Sequence, residues 1–146
     1  MIIPDVNLLV YAHNRGVPEH EGARAWWEEA VNGAEPIGLD WSVILGFVRL
    51  MSNPRVAMRP QPPEDLLDRI SAILSQPSVK LITPGLRHAE LMRELFESSG
   101  ASPRMVTDVH LAALVIELDA TLATNDTDFG RFPKLRTLNP LTDSGT

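Results

Sequence analysis

Apolar residues along this chain fall into two rhythms, short unbroken runs and longer stretches spaced three and four apart, and the two alternate from end to end. Met1 to Pro4 reads as a brief apolar strand, and Val6 to His13 as a short helix with Asp5 at its N-cap. From Glu19 to Val31 the apolar positions Ala23, Trp26, Trp27, Ala30 and Val31 keep to one helical face, with Pro18 near the start and Gly33 just past the end. Pro36 to Leu39 is a second short strand. Ser42 to Met51 is a helix that Pro54 bars from extending. Pro63 opens the helix Glu64 to Leu74, Val79 to Ile82 is a strand, and Leu86 to Ser98 is a helix closed by Gly100. After Ser102-Pro103 a densely apolar helix runs through Asp108 to Leu118, followed by a strand at Thr121 to Ala123 and a last one at Leu135 to Leu138.

Strands that alternate with helices imply βαβ units, so the expected fold class is α/β with a small, mostly parallel central sheet between helical layers and right-handed crossovers. No linker or internal repeat interrupts the pattern, and residues 1–146 read as one domain. The segment Arg59-Pro60-Gln61-Pro62-Pro63 is too short for a linker and reads as a surface loop. In open parallel sheets ligands bind at the carboxyl ends of the strands. Asp5 follows the first strand and Asp126 the strand at Thr121 to Ala123, so residues distant in sequence are expected to share one rim.

Composition narrows the chemistry. There is no cysteine, which removes disulfides, thiolate zinc sites and cysteine nucleophiles, and the four histidines are not closely spaced. Any metal is therefore expected to be hard and oxygen-ligated. No apolar run reaches the roughly 18 residues of a membrane span, and the N-terminus lacks the pattern of a signal peptide, so the chain reads as cytoplasmic with no membrane partner. The net charge of -6 argues against a protein that coats nucleic acid, yet carboxylates gathered around a cation would contribute to it. Of the thirteen cationic side chains only Lys80 and Lys134 are lysines; the rest are arginines, which suit bidentate phosphate contacts.

Four aspartates stand where apolar runs stop: Asp5, Asp108, Asp126 and Asp128. Each has a structural reading, Asp5 and Asp108 as helix N-caps and Asp126 with Asp128 as an Asx-turn before Phe129. Together they suggest more, because converging half-buried carboxylates repel one another unless a cation lies between them. Hydroxyl or amide neighbours, Asn7, Thr107, Thr124 and Asn125, stand beside them and can orient them. His110 follows Asp108 by two residues, which on a helix turns it away from that carboxylate, and His13, His20 and His88 have no acidic partner at a telling spacing.

At these residues the chain resembles the PIN-domain family, and within it the VapC-like toxins of bacterial toxin-antitoxin pairs. Pro4-Asp5-Val6-Asn7-Leu8-Leu9 is similar to the family's first acidic motif, and Val106-Thr107-Asp108-Val109-His110-Leu111-Ala112-Ala113-Leu114 to its third. Ala120 through Phe129 is similar to the fourth, and Arg131-Phe132-Pro133 and Asn139-Pro140-Leu141 resemble a mycobacterial-type branch. One position departs: where the family usually carries a second acid, in the helix after strand two, this chain has Gly46 within Leu45-Gly46-Phe47-Val48-Arg49. Glycine there costs about 1 kcal/mol of helix stability against alanine, so something is expected to approach closely, either a packed helix or a substrate backbone. Asp40, upstream of that position, is left outside the site.

The resemblance implies a PIN-like three-layer α/β/α fold and Mg²⁺-dependent hydrolysis of RNA phosphodiester bonds, with Mn²⁺ as a substitute. It points to Asp5, Asp108 and Asp126 as catalytic, Asp5 and Asp108 as direct metal ligands, Asp126 and Asp128 as completing the metal's surroundings, and Asn7 as holding Asp5 and a water. Arg49, Arg104 and Arg131 are the residues it suggests for steering an RNA backbone. Implied partners are a VapB-like antitoxin, an RNA substrate of the tRNA or rRNA kind, and a second copy in a homodimer. Trp26 and Trp27 are adjacent, so one helix cannot turn both fully inward; a protruding tryptophan would suit a groove that receives an antitoxin helix. Two other classes are consistent with parts of the pattern. A non-catalytic PIN fold acting as a binding module would explain Gly46. A haloacid-dehalogenase-type phosphatase also places an acid after strand one, but it needs an aspartate where Asn7 stands.

Overall fold

The computed structural model describes residues 1–143. The elements run β1 (Ile2–Pro4), α1 (Val6–His13), α2 (His20–Asn32), β2 (Ile37–Leu39), α3 (Trp41–Met51), α4 (Pro63–Leu74), β3 (Val79–Leu81), α5 (His88–Ser99), α6 (Val106–Glu117), β4 (Thr121–Ala123), β5 (Thr137–Leu138) and α7 (Pro140–Asp143), with 3₁₀ turns at Pro103–Met105 and Thr127–Arg131. Most expected boundaries fall within two residues of these. The short α7 and the two 3₁₀ turns are additions that the apolar pattern does not announce.

Five short strands pair in the order β3-β2-β1-β4-β5, every pair parallel. The sheet is thus wholly rather than mostly parallel. From β1 the chain steps outward through β2 to β3, then returns to the other side of β1 as β4. With right-handed crossovers that reversal puts α1 to α4 on one face and α5 with α6 on the other, giving three layers. The strand order reverses between β1 and β4, where Ile2 pairs with Thr121, Ile3 with Leu122 and Pro4 with Ala123.

Burial follows from residue type. Strands covered on both faces carry Ile3, Ile37, Leu39 and Leu122, all buried, and α6 between sheet and α5 buries Val109, Leu111, Ala112, Ala113, Leu114 and Val115. Local signals set the helix ends. Pro63 starts α4 at its first position, and Gly100 ends α5 with φ 69°, a left-handed conformation that glycine adopts without a Cβ penalty. On α2, Trp27 turns into the core while Trp26 lies half-buried against it, ring centroids 6.3 Å apart. The tryptophan that protrudes is instead Trp41, at the start of α3 and 46% exposed. No described helix is long and apolar enough to cross a membrane.

Candidate active site

The strand-order reversal builds the acidic rim. Beyond Pro4 the Asp5 amide donates to the Ala123 carbonyl at 2.8 Å, which carries the β1–β4 pairing one residue further. Thr124 therefore lies beside Asp5, and its hydroxyl donates to Asp5 Oδ2 at 2.8 Å in a buried bond. The same hydroxyl oxygen accepts from the Asp126 amide at 3.0 Å, and Asp126 Oδ1 in turn accepts from the Asp128 amide at 2.9 Å. A threonine hydroxyl has one donor and two lone pairs, so it can serve both neighbours. Asp126 and Asp128 thus form the expected Asx-turn, and the turn itself is tied to Asp5.

Of the two expected N-caps, Asp5 holds that position and Asp108 does not. Asp5 occupies the N-cap position of α1, but its carboxylate makes no capping hydrogen bond. Asp108 is the third residue of α6, whose N-cap is Met105. Asp5 is 6% exposed, and burial foremost, with the like charges of Asp108 and Asp126, pushes its carboxyl up to about 6 against the pull of the Thr124 hydrogen bond. Burial also raises Asp108, reinforced by Asp126 and Asp128 and opposed by the Arg131 guanidinium. Asp5 and Asp108 therefore both feel the neighbouring acids of one rim.

No three His, Asp or Glu side chains among the described residues converge as a ready-made metal cage. The donors nevertheless fit magnesium, which prefers oxygen, keeps several of its waters and commonly takes one or two carboxylates plus substrate phosphate. A carboxylate raised first by burial and then by its acidic neighbours is the environment a divalent cation relieves.

Among the expected orienting residues, Thr124 is the one whose side chain hydrogen-bonds Asp5 in the structure. Asn7 is partly exposed and its side chain makes no hydrogen bond among the described residues, whereas β-pairing delivers Thr124 to Asp5 directly. Of the three arginines, Arg131 is the one whose charge acts on a rim carboxylate, that of Asp108, and its Nε–H donates to the Asp128 carbonyl at 3.2 Å. Arg49 and Arg104 are exposed, with no ion pair among the described residues. Gly46 is buried on α3, and a Cβ there would lie 3.0 Å from Val6 Cγ2. The close approach is thus that of α1, at the residue next to Asp5.

Sequence spacing missed a second polar chain. Asp40 caps α3, accepting from the Ser42 amide at 3.0 Å and from the Ser42 hydroxyl, and His110 Nε2 lies 2.7 Å from the same Oδ2. His110 Nδ1 is 2.8 Å from His88 Nε2, and His88 Nδ1 faces Glu117 Oε2 at 3.7 Å, the last two atoms buried without a partner among the described residues. Glu117 Oε1 accepts from the Gly85 amide at 2.9 Å. Burial raises Asp40, but the hydrogen bonds from His110 and Ser42 outweigh it and hold the carboxyl below its ordinary range. The Asp40 hydrogen bond pushes His110 up, and burial, with the neighbouring His110, pushes His88 down. The one signal available in sequence was the Asp40-Trp41-Ser42 cap; the histidine partners lie 70 and 22 residues apart in the chain.

Residues 2–135 match the family model described as PIN domain. Ribonuclease VapC33 of Mycobacterium tuberculosis (strain ATCC 25618 / H37Rv) is 44% identical over 141 residues, covering 97% of this chain and 99% of its own length. Ribonuclease VapC43 of the same strain is 39% identical, covering 97% and 96%. Among solved structures, VapBC2 from Rickettsia felis bound to a promoter DNA fragment superposes with TM-score 0.69 at 22% identity, covering 95% of this chain and 98% of that one. The sarcin-ricin loop cleaving toxin VapC20 of Mycobacterium tuberculosis gives TM-score 0.63 at 15% identity, covering 93% and 99%. At these identities the structures speak to the fold alone.

Proposed function

Since the chain belongs to the PIN-domain family, and within it to the VapC ribonucleases, we propose that it is the Mg²⁺-dependent endoribonuclease toxin of a VapBC-type pair, cutting RNA at the Asp5, Asp108, Asp126 and Asp128 rim. The observation that carries this is Asp5: a buried carboxyl raised to about 6 by its burial and by two acidic neighbours, in a chain 44% identical to a ribonuclease.

Asp5 and Asp108 are the residues that would hold the metal, with Asp126 and Asp128 completing its surroundings. Bound there, Mg²⁺ would polarise a phosphoryl oxygen and acidify a water. The protein's own part is preorganisation. Thr124 fixes the Asp5 carboxylate through Oδ2, while Arg131 offsets charge near Asp108 and is the cation proposed to meet a substrate phosphate. Proposed partners are a VapB-like antitoxin and a second copy of the toxin. The hollow of about 500 Å³ among α1 to α4, with Phe47, Met51 and Leu66 below and Arg15, Arg59 and Arg69 above, offers apolar and cationic groups to an amphipathic acidic segment.

The test is cleavage of structured RNA by purified protein. Cutting is expected with Mg²⁺ or Mn²⁺ and not in excess chelator, and Asp108→Asn is expected to lower it by at least about a hundredfold, in keeping with the loss of a main electrostatic contributor. Undiminished cutting in chelator would overturn the reading. The binding-module alternative rests on Gly46; a folded protein that takes up no Mg²⁺ by calorimetry and cuts no RNA would favour it.

A further inference from the structure

A hollow of about 450 Å³ beside the rim has no part in the proposed metal chemistry, although its size lies in the range of ligand sites. Trp41 and Leu45 of α3 and Val106 of α6 form its exposed lip, with Ile82, Pro84 and Met92 behind, so its walls are almost wholly apolar. The polar residues that line it, Ser42, Thr83, Thr107, His110 and Asp40, add little to its surface, and Asp40 is only 3% exposed. All three hydrogen bonds to that carboxylate fall on Oδ2, two from Ser42 and one from His110, and His110 is itself seated against His88. Oδ1 has no partner among the described residues, and it is not among the unpartnered atoms sealed from the surface. A carboxylate held by three hydrogen bonds, with one oxygen left unpartnered among the described residues, thus lines an apolar slot that has an exposed aromatic ring at its lip.

Position decides the occupant. Asp40 ends β2 as Asp5 ends the adjacent β1, and Thr107, which lines the hollow, precedes Asp108. A group in the slot would lie next to a phosphodiester bound at the proposed rim. Single-stranded RNA offers planar rings that stack on exposed aromatic side chains and carry hydrogen-bonding edges. We propose that this hollow receives one unpaired nucleobase bearing an exocyclic amino group, with Trp41 as its stacking face and Asp40 Oδ1 as the acceptor for the amino N–H. The proposal rests on the RNA-cleaving reading of the neighbouring rim. Uracil is disfavoured because its carbonyl at the corresponding position would face the carboxylate.

The experiment is equilibrium binding of fluorescent octacytidylate, octauridylate and an abasic octamer in chelator, where no cleavage competes. Wild type is expected to bind octacytidylate about tenfold or more tighter than the abasic octamer, as one well-stacked base implies, and several-fold tighter than octauridylate. Trp41→Ala should bring octacytidylate to the abasic level and Trp41→Phe should retain most of the gain. Asp40→Asn should erase the preference for cytosine over uracil while keeping the stacking gain. Equal binding of octacytidylate and the abasic octamer, or an unchanged Trp41→Ala variant, overturns the proposal. So does a Trp41→Ala variant whose only change is dissociation of a dimer in sedimentation, which would assign this face to a second copy. Cleavage in Mg²⁺ separates the two readings: RNA cut normally without base-dependent binding removes the slot alone, whereas base-dependent binding without any cutting removes the nuclease reading alone.

Discussion

The most consequential residue is Asp5, because its burial sets stability against function. Its carboxyl sits near 6 in the folded chain, above its ordinary 3.8, so the folded state holds that proton more tightly than the unfolded one does. The stabilising effect of the bound proton is fully present below about 4 and is lost as pH rises through about 6. An amide keeps the shape and the Thr124 hydrogen bond without the charge. Asp5→Asn should therefore abolish cleavage and, in chelator at pH 8, stabilise the fold by up to about 3 kcal/mol, since holding a carboxyl above its ordinary value costs the charged form about 1.4 kcal/mol for every tenfold change in proton affinity. At pH 4 the gain should vanish. Urea denaturation at the two pH values measures both; a variant less stable than wild type at pH 8 would contradict the burial argument. Thr124 belongs to the same account, as the hydroxyl that links Asp5 to the turn carrying Asp126 and Asp128.

Among elements, the crossing of α1 and α3 depends on position 46. Alanine would recover about 1 kcal/mol of helix propensity, but its Cβ would meet Val6 Cγ2 at 3.0 Å, and β-branched Val6 has little rotamer freedom in a helix. Gly46→Ala is expected to destabilise by about 1 kcal/mol alone, as overpacking does. In a Val6→Ala background the same change should stabilise by a similar amount, because the obstructing methyl is gone. A double-mutant cycle by chemical denaturation reads the change of sign; additive effects would mean that the helices do not meet there. The glycine that breaks the family's acidic pattern is accounted for by this helix contact. The same helix begins with Asp40 and Trp41, so α3 contributes its first turn to the polar chain and its sixth residue to packing.

For the whole molecule, proton and metal are expected to compete for one rim. Mg²⁺ should raise the melting temperature at pH 8 by mass action on the folded state. The increase should shrink as pH falls below about 6, where Asp5 takes its proton. Scanning calorimetry across that range, with Ca²⁺-free and chelated controls, tests it; an Mg²⁺ effect as large at pH 5 as at pH 8 would remove Asp5 from the metal's ligands. Much of this was legible in the chain alone. The alternation of short apolar runs with amphipathic stretches determined the α/β class and nearly every element, because strand and helix periodicities are local. The acids were recognisable because each ends an apolar run, and Gly46 because glycine inside a helix is costly. Only the tertiary structure decided which groups meet. The placing of β4 beside β1 brought Thr124 to Asp5 across 119 residues, and the packing of α6 against α5 and the start of α3 joined Asp40, His110 and His88. The same packing left Trp41, not Trp26 or Trp27, at the surface. Spacing along a chain predicts which face of a helix a residue occupies, but the partner across that face is set by strand order and crossover handedness, which no local pattern records.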